Sequence, residues 1–83
     1  MSNTNPDFDN VPKGIYRHYK GGEYRVFDIA IHSETEELLV VYKPLYKDQL
    51  GEQKLWVRPL NMFVEKIKID GRLVARFQLV SIE

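Results

Sequence analysis

The chain has no cysteine among its 83 residues. This absence excludes a disulfide framework, a thiolate nucleophile and a cysteine-ligated zinc or iron–sulfur site. The sequence also lacks any apolar run near the roughly 20 residues that a membrane helix needs. Its start has neither the basic residues nor the apolar stretch of a signal peptide. We therefore expect a cytoplasmic protein without membrane contact.

Neither sign of charge is in excess, since 12 Lys and Arg balance 12 Asp and Glu. The chain therefore lacks the overall positive field that drives sequence-independent nucleic-acid binding, and such binding would need a local basic patch. Hydrophobic content of 43% and charged content of 29% are typical of a globular domain. At this length we expect one domain with a small core.

The first residues differ in composition from the rest of the chain. Residues 1–11 are rich in Asn and Asp and contain few large apolar side chains. We therefore expect a disordered, flexible N-terminal arm there. Residues 12–83 have the β-branched and aromatic content of strands and are expected to form a single small β-barrel domain.

Short strand-like segments separated by turn residues fill this domain. The pattern predicts strands near 15–19 and 24–32, joined by a tight turn at two consecutive glycines. The two-residue period of a strand puts Phe27, Ile29 and Ile31 on one face of the second strand. The opposite face is also partly apolar, which favours a strongly coiled strand in a small barrel.

Two further strands are bounded by proline. "LLVVYKPLY" continues as a strand until Pro44, and "LWVRP" is a strand that Pro59 ends, because proline cannot donate to a strand ladder. "PLNMF" is short enough to form only a single helical turn. We predict an all-β fold, a small SH3-like barrel of five or six short antiparallel strands.

The clearest turn signal lies in the last third of the chain. Residues 69–72, "IDGR", contain the Asp-Gly pair preferred at the centre of a type I′ hairpin turn. A two-residue turn there places Ile67 opposite Val74 and Glu65 opposite Arg76. We predict an ion pair between Glu65 and Arg76, worth about 1 kcal/mol or less if it is exposed.

The segment "HSETEE" places an imidazole, hydroxyls and carboxylates ahead of an apolar run. His32 and Glu34 are two residues apart and can share a face as an acid/base couple, and Ser33 is a candidate nucleophile. In a continuing strand, however, Ser33 points away from His32, and no nucleophile elbow or metal-binding spacing is present. We favour a hydrogen-bonded turn, which can still present His32 and Glu34 to a ligand.

Aromatic and basic residues offer a second kind of site. We expect Tyr16, Tyr42 and Trp56 to be buried, and Tyr19 and Tyr46 to lie at a surface groove. Basic residues outnumber acidic ones in the final third of the chain. A phosphate-facing patch and ordinary solvated strand faces both explain this excess, and the alternation of lysine with isoleucine there favours solvated faces.

Several motifs together resemble a known bacterial family. "YRHYKG", "HSET", "WVRP" and "RF" occur between about residues 14 and 80, and in combination they resemble the family Domain of Unknown Function 1653. The resemblance implies a compact SH3-like β-barrel and brings no established activity. It also implies signature positions of polar and charged type that a barrel core alone would not require.

From these residues we hypothesise one shared concave site. Its expected binding residues are His18, Tyr19, His32, Glu34, Tyr46, Trp56 and Arg58. Neither a metal nor a cofactor is expected, and no residue is assigned a catalytic role.

Two classes of function remain open. The leading hypothesis is a binding module in which Arg58 and His18 hold an anionic group while an aromatic side chain stacks on a planar part of the ligand. The expected ligand is a peptide or a small molecule, with single-stranded nucleic acid as a less favoured alternative. The protein is expected to be a monomer or a weak dimer. The second hypothesis is a small hydrolase-like enzyme with His32 or His18 as general base and Glu34 orienting it.

Overall fold

The computed structural model describes residues 11–45 and 54–83, and the structural statements below concern these residues. Within them the elements are β1 Gly14–His18, β2 Glu23–Ile31, β3 Leu38–Pro44, β4 Trp56–Pro59, α1 Leu60–Phe63, β5 Lys66–Ile69, β6 Arg72–Ala75 and β7 Phe77–Ile82. The prediction of an all-β fold of short antiparallel strands is confirmed, and "PLNMF" forms the expected helical turn. Helix in these two ranges is limited to that turn, so none has the length and apolarity of a membrane span.

The seven described strands form two antiparallel sheets. Five of them make a sheet of order β4-β3-β2-β1-β7, and β5 and β6 make a separate hairpin. β4 and β7 are the two edges of the larger sheet and are not paired with each other. The sheet is therefore open, whereas the sequence predicts a closed SH3-like barrel of five or six strands. β4 has only four residues and ends at Pro59, which leaves few backbone groups for closure.

An extra residue in β2 changes which side chains face the core. Val26 pairs with Tyr42 and Ile29 pairs with Val40, with a register shift between the two pairs. Because Tyr42 and Val40 are alternate residues of β3, Val26 and Ile29 lie on the same face. Phe27 remains outside and is 36% exposed. The prediction that Phe27 and Ile29 share a face is therefore wrong, because the bulge interrupts the two-residue period.

One face of the larger sheet carries the core. Its buried apolar residues are Val11, Tyr16, Tyr24, Val26, Val40, Tyr42, Leu60, Phe63 and Phe77. The short helix α1 follows β4 directly and supplies Leu60 and Phe63 to this face. Val11, the last residue of the predicted arm, is only 4% exposed and belongs to this core. The rest of the predicted arm lies outside the described residues.

The β5–β6 hairpin closes with the predicted turn. Asp70 and Gly71 have φ angles of 52° and 82°, and a type I′ turn requires positive φ at both central positions. Ile67 pairs with Val74, which is the predicted register. Most side chains of this hairpin are exposed, so the turn itself is the main determinant of its pairing.

Glu65 and Arg76 hold the base of the hairpin. The Arg76 backbone N–H donates to the Glu65 carbonyl oxygen at 3.1 Å. Nη2 of Arg76 lies 3.0 Å from Oε1 of Glu65, which confirms the predicted ion pair. The Glu65 side chain is 48% exposed, so we assign the pair no more than about 1 kcal/mol.

The turn assignment predicts how Gly71 responds to substitution. Gly71→Ala should lower the free energy of unfolding by about 1 kcal/mol, because an alanine disfavours positive φ even though its Cβ would meet open space. Gly71→Asn should cost less, because Asn adopts the left-handed region more readily. Urea unfolding followed by the fluorescence of the single tryptophan measures both values. An equal loss in the two variants would contradict this account of the turn.

Candidate functional site

Strand pairing places three of the predicted site residues on the face of the sheet that carries the core. His18, at the end of β1, lies opposite the buried Phe77 of β7. Trp56, at the start of β4, lies opposite the buried Tyr42 of β3. Arg58 is two residues after Trp56 and so shares its face. Directly opposed residues share a face, so the sheet turns all three side chains toward the core side.

The ring of Phe77 brings His18 and Arg58 together. The His18 and Phe77 ring centroids are 4.9 Å apart, with the ring planes at 77°. The guanidinium carbon of Arg58 lies 5.4 Å from the Phe77 centroid, within the range of a cation–π contact. Nε of Arg58 also donates a hydrogen bond to the Tyr42 hydroxyl at 3.1 Å. Two buried aromatic side chains therefore fix the guanidinium.

Aromatic rings continue from His18 to Trp56. The Tyr24 centroid lies 6.4 Å from that of His18 and 6.0 Å from that of Trp56. The Tyr19 ring lies 4.5 Å from His18 and is 37% exposed. We call this group the cation–aromatic cluster, which consists of His18, Tyr19, Tyr24, Trp56, Arg58 and Phe77.

Positive charge surrounds the His18 imidazole. Burial lowers the pKa of His18 below its ordinary value of 6.5, and the charges of Arg58, Arg76 and Lys20 lower this pKa further. Each of these cations disfavours a positive charge on the imidazole ring. The imidazole is therefore neutral at pH 7, in surroundings that favour an anion.

The hydrogen bonds of His18 and Arg58 show which nitrogens of these two side chains are free. Nδ1 of His18 accepts a hydrogen bond from the Lys20 backbone N–H at 3.2 Å. An accepting nitrogen carries no proton, so the neutral ring is protonated at Nε2. Among the described residues, neither Nε2 nor the terminal nitrogens of Arg58 have a hydrogen-bond partner, and these nitrogens are not buried. All of them can donate to a ligand.

The segment "HSETEE" forms a turn. Nδ1 of His32 accepts hydrogen bonds from the backbone N–H groups of Glu34 and Thr35, at 3.1 and 3.3 Å. The Thr35 hydroxyl accepts another from the Glu37 N–H at 3.2 Å. The favoured interpretation of this segment as a hydrogen-bonded turn is confirmed, with the imidazole itself as the main cap. His32 thus has a structural role in joining β2 to β3.

The long strand β2 separates His32 and Glu34 from the cluster. His18 precedes β2 across a tight turn and His32 follows its last residue. The nine residues of β2 span about 30 Å at the rise of an extended strand. β2 thus puts the two histidines at its opposite ends, and the described strands do not bring the residues of the predicted shared site together. No group of three His, Asp or Glu within the described ranges is placed to hold a metal ion.

The structure thus divides the predicted site residues into three groups. The cluster contains His18, Tyr19, Trp56 and Arg58, while the distant turn contains His32 and Glu34, and Tyr46 lies outside the described residues. Tyr16 and Tyr42 are buried and Tyr19 is exposed, as predicted, whereas Trp56 is only partly buried.

Sequence reasoning did not place Phe77 or Tyr24 in the site. Phe77 is the ring that joins His18 to Arg58, yet it is 59 residues from His18 along the chain. The only local signal is the Arg76-Phe77 pair, which the family resemblance marks without giving its role. Tyr24 lies in a strand whose alternation predicts burial, but the alternation does not identify the rings beside it.

The chain is thus a small all-β domain with an open antiparallel sheet and a solvent-accessible cation–aromatic cluster. The chain also matches, over residues 14–79, the family model described as "Protein of unknown function (DUF1653)". It therefore belongs to the DUF1653 family, which confirms the resemblance seen in the motifs.

One solved structure supports this assignment. The chain is similar to the crystal structure of a DUF1653 protein from Bordetella bronchiseptica, with 30% sequence identity and a TM-score of 0.79. The alignment covers 92% of this chain and 95% of that one. No curated protein matches the chain. Family membership thus identifies no ligand or reaction, and a function can be inferred only from the geometry of the site.

The charges around His18 predict a measurable titration. NMR titration should give a His18 pKa below 6.5, and Arg58→Gln should raise this pKa because one of the surrounding cations is removed. The pKa should stay below 6.5, since burial is the largest cause of the shift. Lys68→Gln, on the exposed β5 strand, is the matched control and should leave the His18 pKa unchanged. An unchanged value in Arg58→Gln would contradict the proximity of the two groups.

Proposed function

We propose that this protein is a binding module for a small anionic ligand with a planar part, held at the cation–aromatic cluster. Arg58 holds the anionic group, His18 donates a hydrogen bond to it, and Tyr19 and Trp56 contact the planar part. The ligand is a small molecule or the end of a peptide. This assignment retains the leading hypothesis from the sequence and reduces its site to the residues that lie together.

The position of Arg58 is the observation that carries this proposal. Its guanidinium is fixed by the Tyr42 hydroxyl and the Phe77 ring, while its terminal nitrogens have no hydrogen-bond partner among the described residues. A guanidinium held in one orientation loses little conformational freedom on binding, and its paired N–H groups match the oxygens of an anion.

The neighbouring rings supply the second part of the proposed ligand contact. Tyr19 is 37% exposed and Trp56 is partly exposed, although both contact other aromatic rings. Aromatic side chains with an accessible face stack on planar groups, for about 1–3 kcal/mol per base in nucleic-acid complexes. A ligand that combines an anionic group with a ring therefore fits the cluster better than an anion alone.

One of the three cations that act on His18 is already neutralised, because Arg76 contacts Glu65 at 3.0 Å. The other two, Arg58 and Lys20, have no ion-pair partner among the described residues. Two such charges suit a small ligand better than the several phosphates of a nucleic-acid strand. The hydrolase hypothesis has no such support, because it requires Glu34 to orient a catalytic histidine and Glu34 lies in the turn that His32 caps.

Binding can be measured through the single tryptophan, Trp56. Titration with benzoate and phenyl phosphate should change its fluorescence, and titration with these compounds or with indole-3-acetate should shift the NMR signals of His18 and the Arg58 side chain together. Arg58→Gln should weaken the binding of each responding compound about 10-fold or more, because a charge-assisted hydrogen bond is lost.

The control for this test is a variant with the same change of charge at a position outside the cluster. Lys68→Gln also removes one positive charge, and it should leave the affinities within about two-fold, since a single exposed charge contributes little. Urea unfolding of both variants establishes that they fold. The proposal fails if Arg58→Gln and the natural protein bind these compounds equally, or if shifts occur only outside the cluster. An affinity for single-stranded DNA that falls steeply with salt would favour the nucleic-acid alternative.

A further inference from the structure

Arg58 of the cluster and the adjacent Lys20 have two positive charges that no described carboxylate neutralises. Of the cations near His18, Arg76 is paired with Glu65. Arg58 and Lys20 have no ion-pair partner in residues 11–45 and 54–83. The Lys20 ammonium lies 5.8 Å from the Tyr19 ring centroid. A ligand bound between Arg58 and Lys20 therefore meets two net positive charges.

The same region has three kinds of hydrogen-bond donor, and none of them has an acceptor among the described residues. They are the terminal nitrogens of Arg58, the Lys20 ammonium and Nε2 of His18. A carboxylate has one charge and two oxygens, whereas a phosphate monoester at neutral pH has close to two charges and three terminal oxygens. The charges and donors of the cluster thus match the monoester more completely than a carboxylate.

His18 contributes a hydrogen bond without a charge. Because its Nδ1 accepts the Lys20 N–H, the ring presents a proton at Nε2 in its neutral form. Protonation of Nδ1 would break that hydrogen bond and add a third cation beside Arg58. Both effects keep the ring neutral near pH 7, so the positive charge of the site comes from Arg58 and Lys20.

We propose that the cation–aromatic cluster selects a dianionic phosphate monoester attached to an aromatic or heteroaromatic group, with Arg58 and Lys20 holding the phosphate and Tyr19 and Trp56 contacting the ring. This inference rests on the proposed binding function and names the class of its ligand. Selectivity comes from the second negative charge, which a monocarboxylate and a phosphodiester lack.

The proposal fixes the sign of the pH dependence. A phosphate monoester gains its second charge with a pKa of about 6. Affinity should therefore rise as the pH increases from about 5 to about 7.5, because the ligand gains its second negative charge beside two cationic side chains. If protonated His18 supplied the attraction instead, affinity would fall over the same range.

Three compounds with the same ring test the proposal on the full chain. They are phenyl phosphate, methyl phenyl phosphate, which has one charge, and benzoate. At about pH 7.5, Trp56 fluorescence should show phenyl phosphate binding about 10-fold or more tightly than either of the others. At about pH 5, where the monoester also has one charge, its advantage over methyl phenyl phosphate should shrink to about three-fold or less. Inorganic phosphate, which has no ring, should bind more weakly than phenyl phosphate.

Lys20→Gln separates this inference from the binding function itself. It should weaken phenyl phosphate binding about five-fold or more while changing methyl phenyl phosphate binding less than two-fold, because only the dianion uses the second cation. Lys68→Gln should change neither. Equal affinities for the three compounds, all abolished by Arg58→Gln, would overturn the monoester inference and leave the binding function intact. Binding of none of these compounds, or an affinity that falls with rising pH, would overturn the monoester inference as well.

Discussion

The ring of Phe77 lies nearly parallel to that of Phe63, with centroids 4.1 Å apart, and this stack connects β7 to the short helix α1. The same Phe77 ring contacts His18 and the Arg58 guanidinium. Because one buried side chain belongs to both the core and the cluster, the packing that stabilises the domain also positions its cationic groups. A large aromatic side chain supplies much apolar area at a single point, which suits a core as small as this one.

The position of Phe77 depends on β1 lying between β2 and β7. β2 reaches β1 through a tight turn, whereas β7 comes from the far end of the domain. The resulting sheet is open, and its core-bearing face is covered by α1 at one part and left accessible around Trp56 and Tyr19 at another. An open sheet therefore keeps some apolar and cationic surface exposed that a closed barrel would bury. That accessibility is the physical basis of the proposed binding role.

Local signals predicted the parts of this fold that depend on short-range geometry. The Asp70-Gly71 turn fixed the register of its hairpin because two adjacent residues with positive φ define how the flanking strands align. The bulge in β2 was not predictable, because an extra residue is favoured by the packing of the partner strand and has no marker in the sequence. The same limit explains why the alternation of Phe27 and Ile29 was misassigned.

The sequence by itself determined the all-β class, the short strands, the β5–β6 hairpin with its ion pair, and the family, because propensities, turns and motifs act between neighbouring residues. It also identified His18, Tyr19, Trp56 and Arg58 as residues of interest. Only the tertiary structure decided that these four lie together and that His32 and Glu34 lie beyond the opposite end of β2. The order of the strands in the sheet sets these distances. That order depends on which apolar faces are buried together over the whole chain, and no short segment of the sequence specifies it.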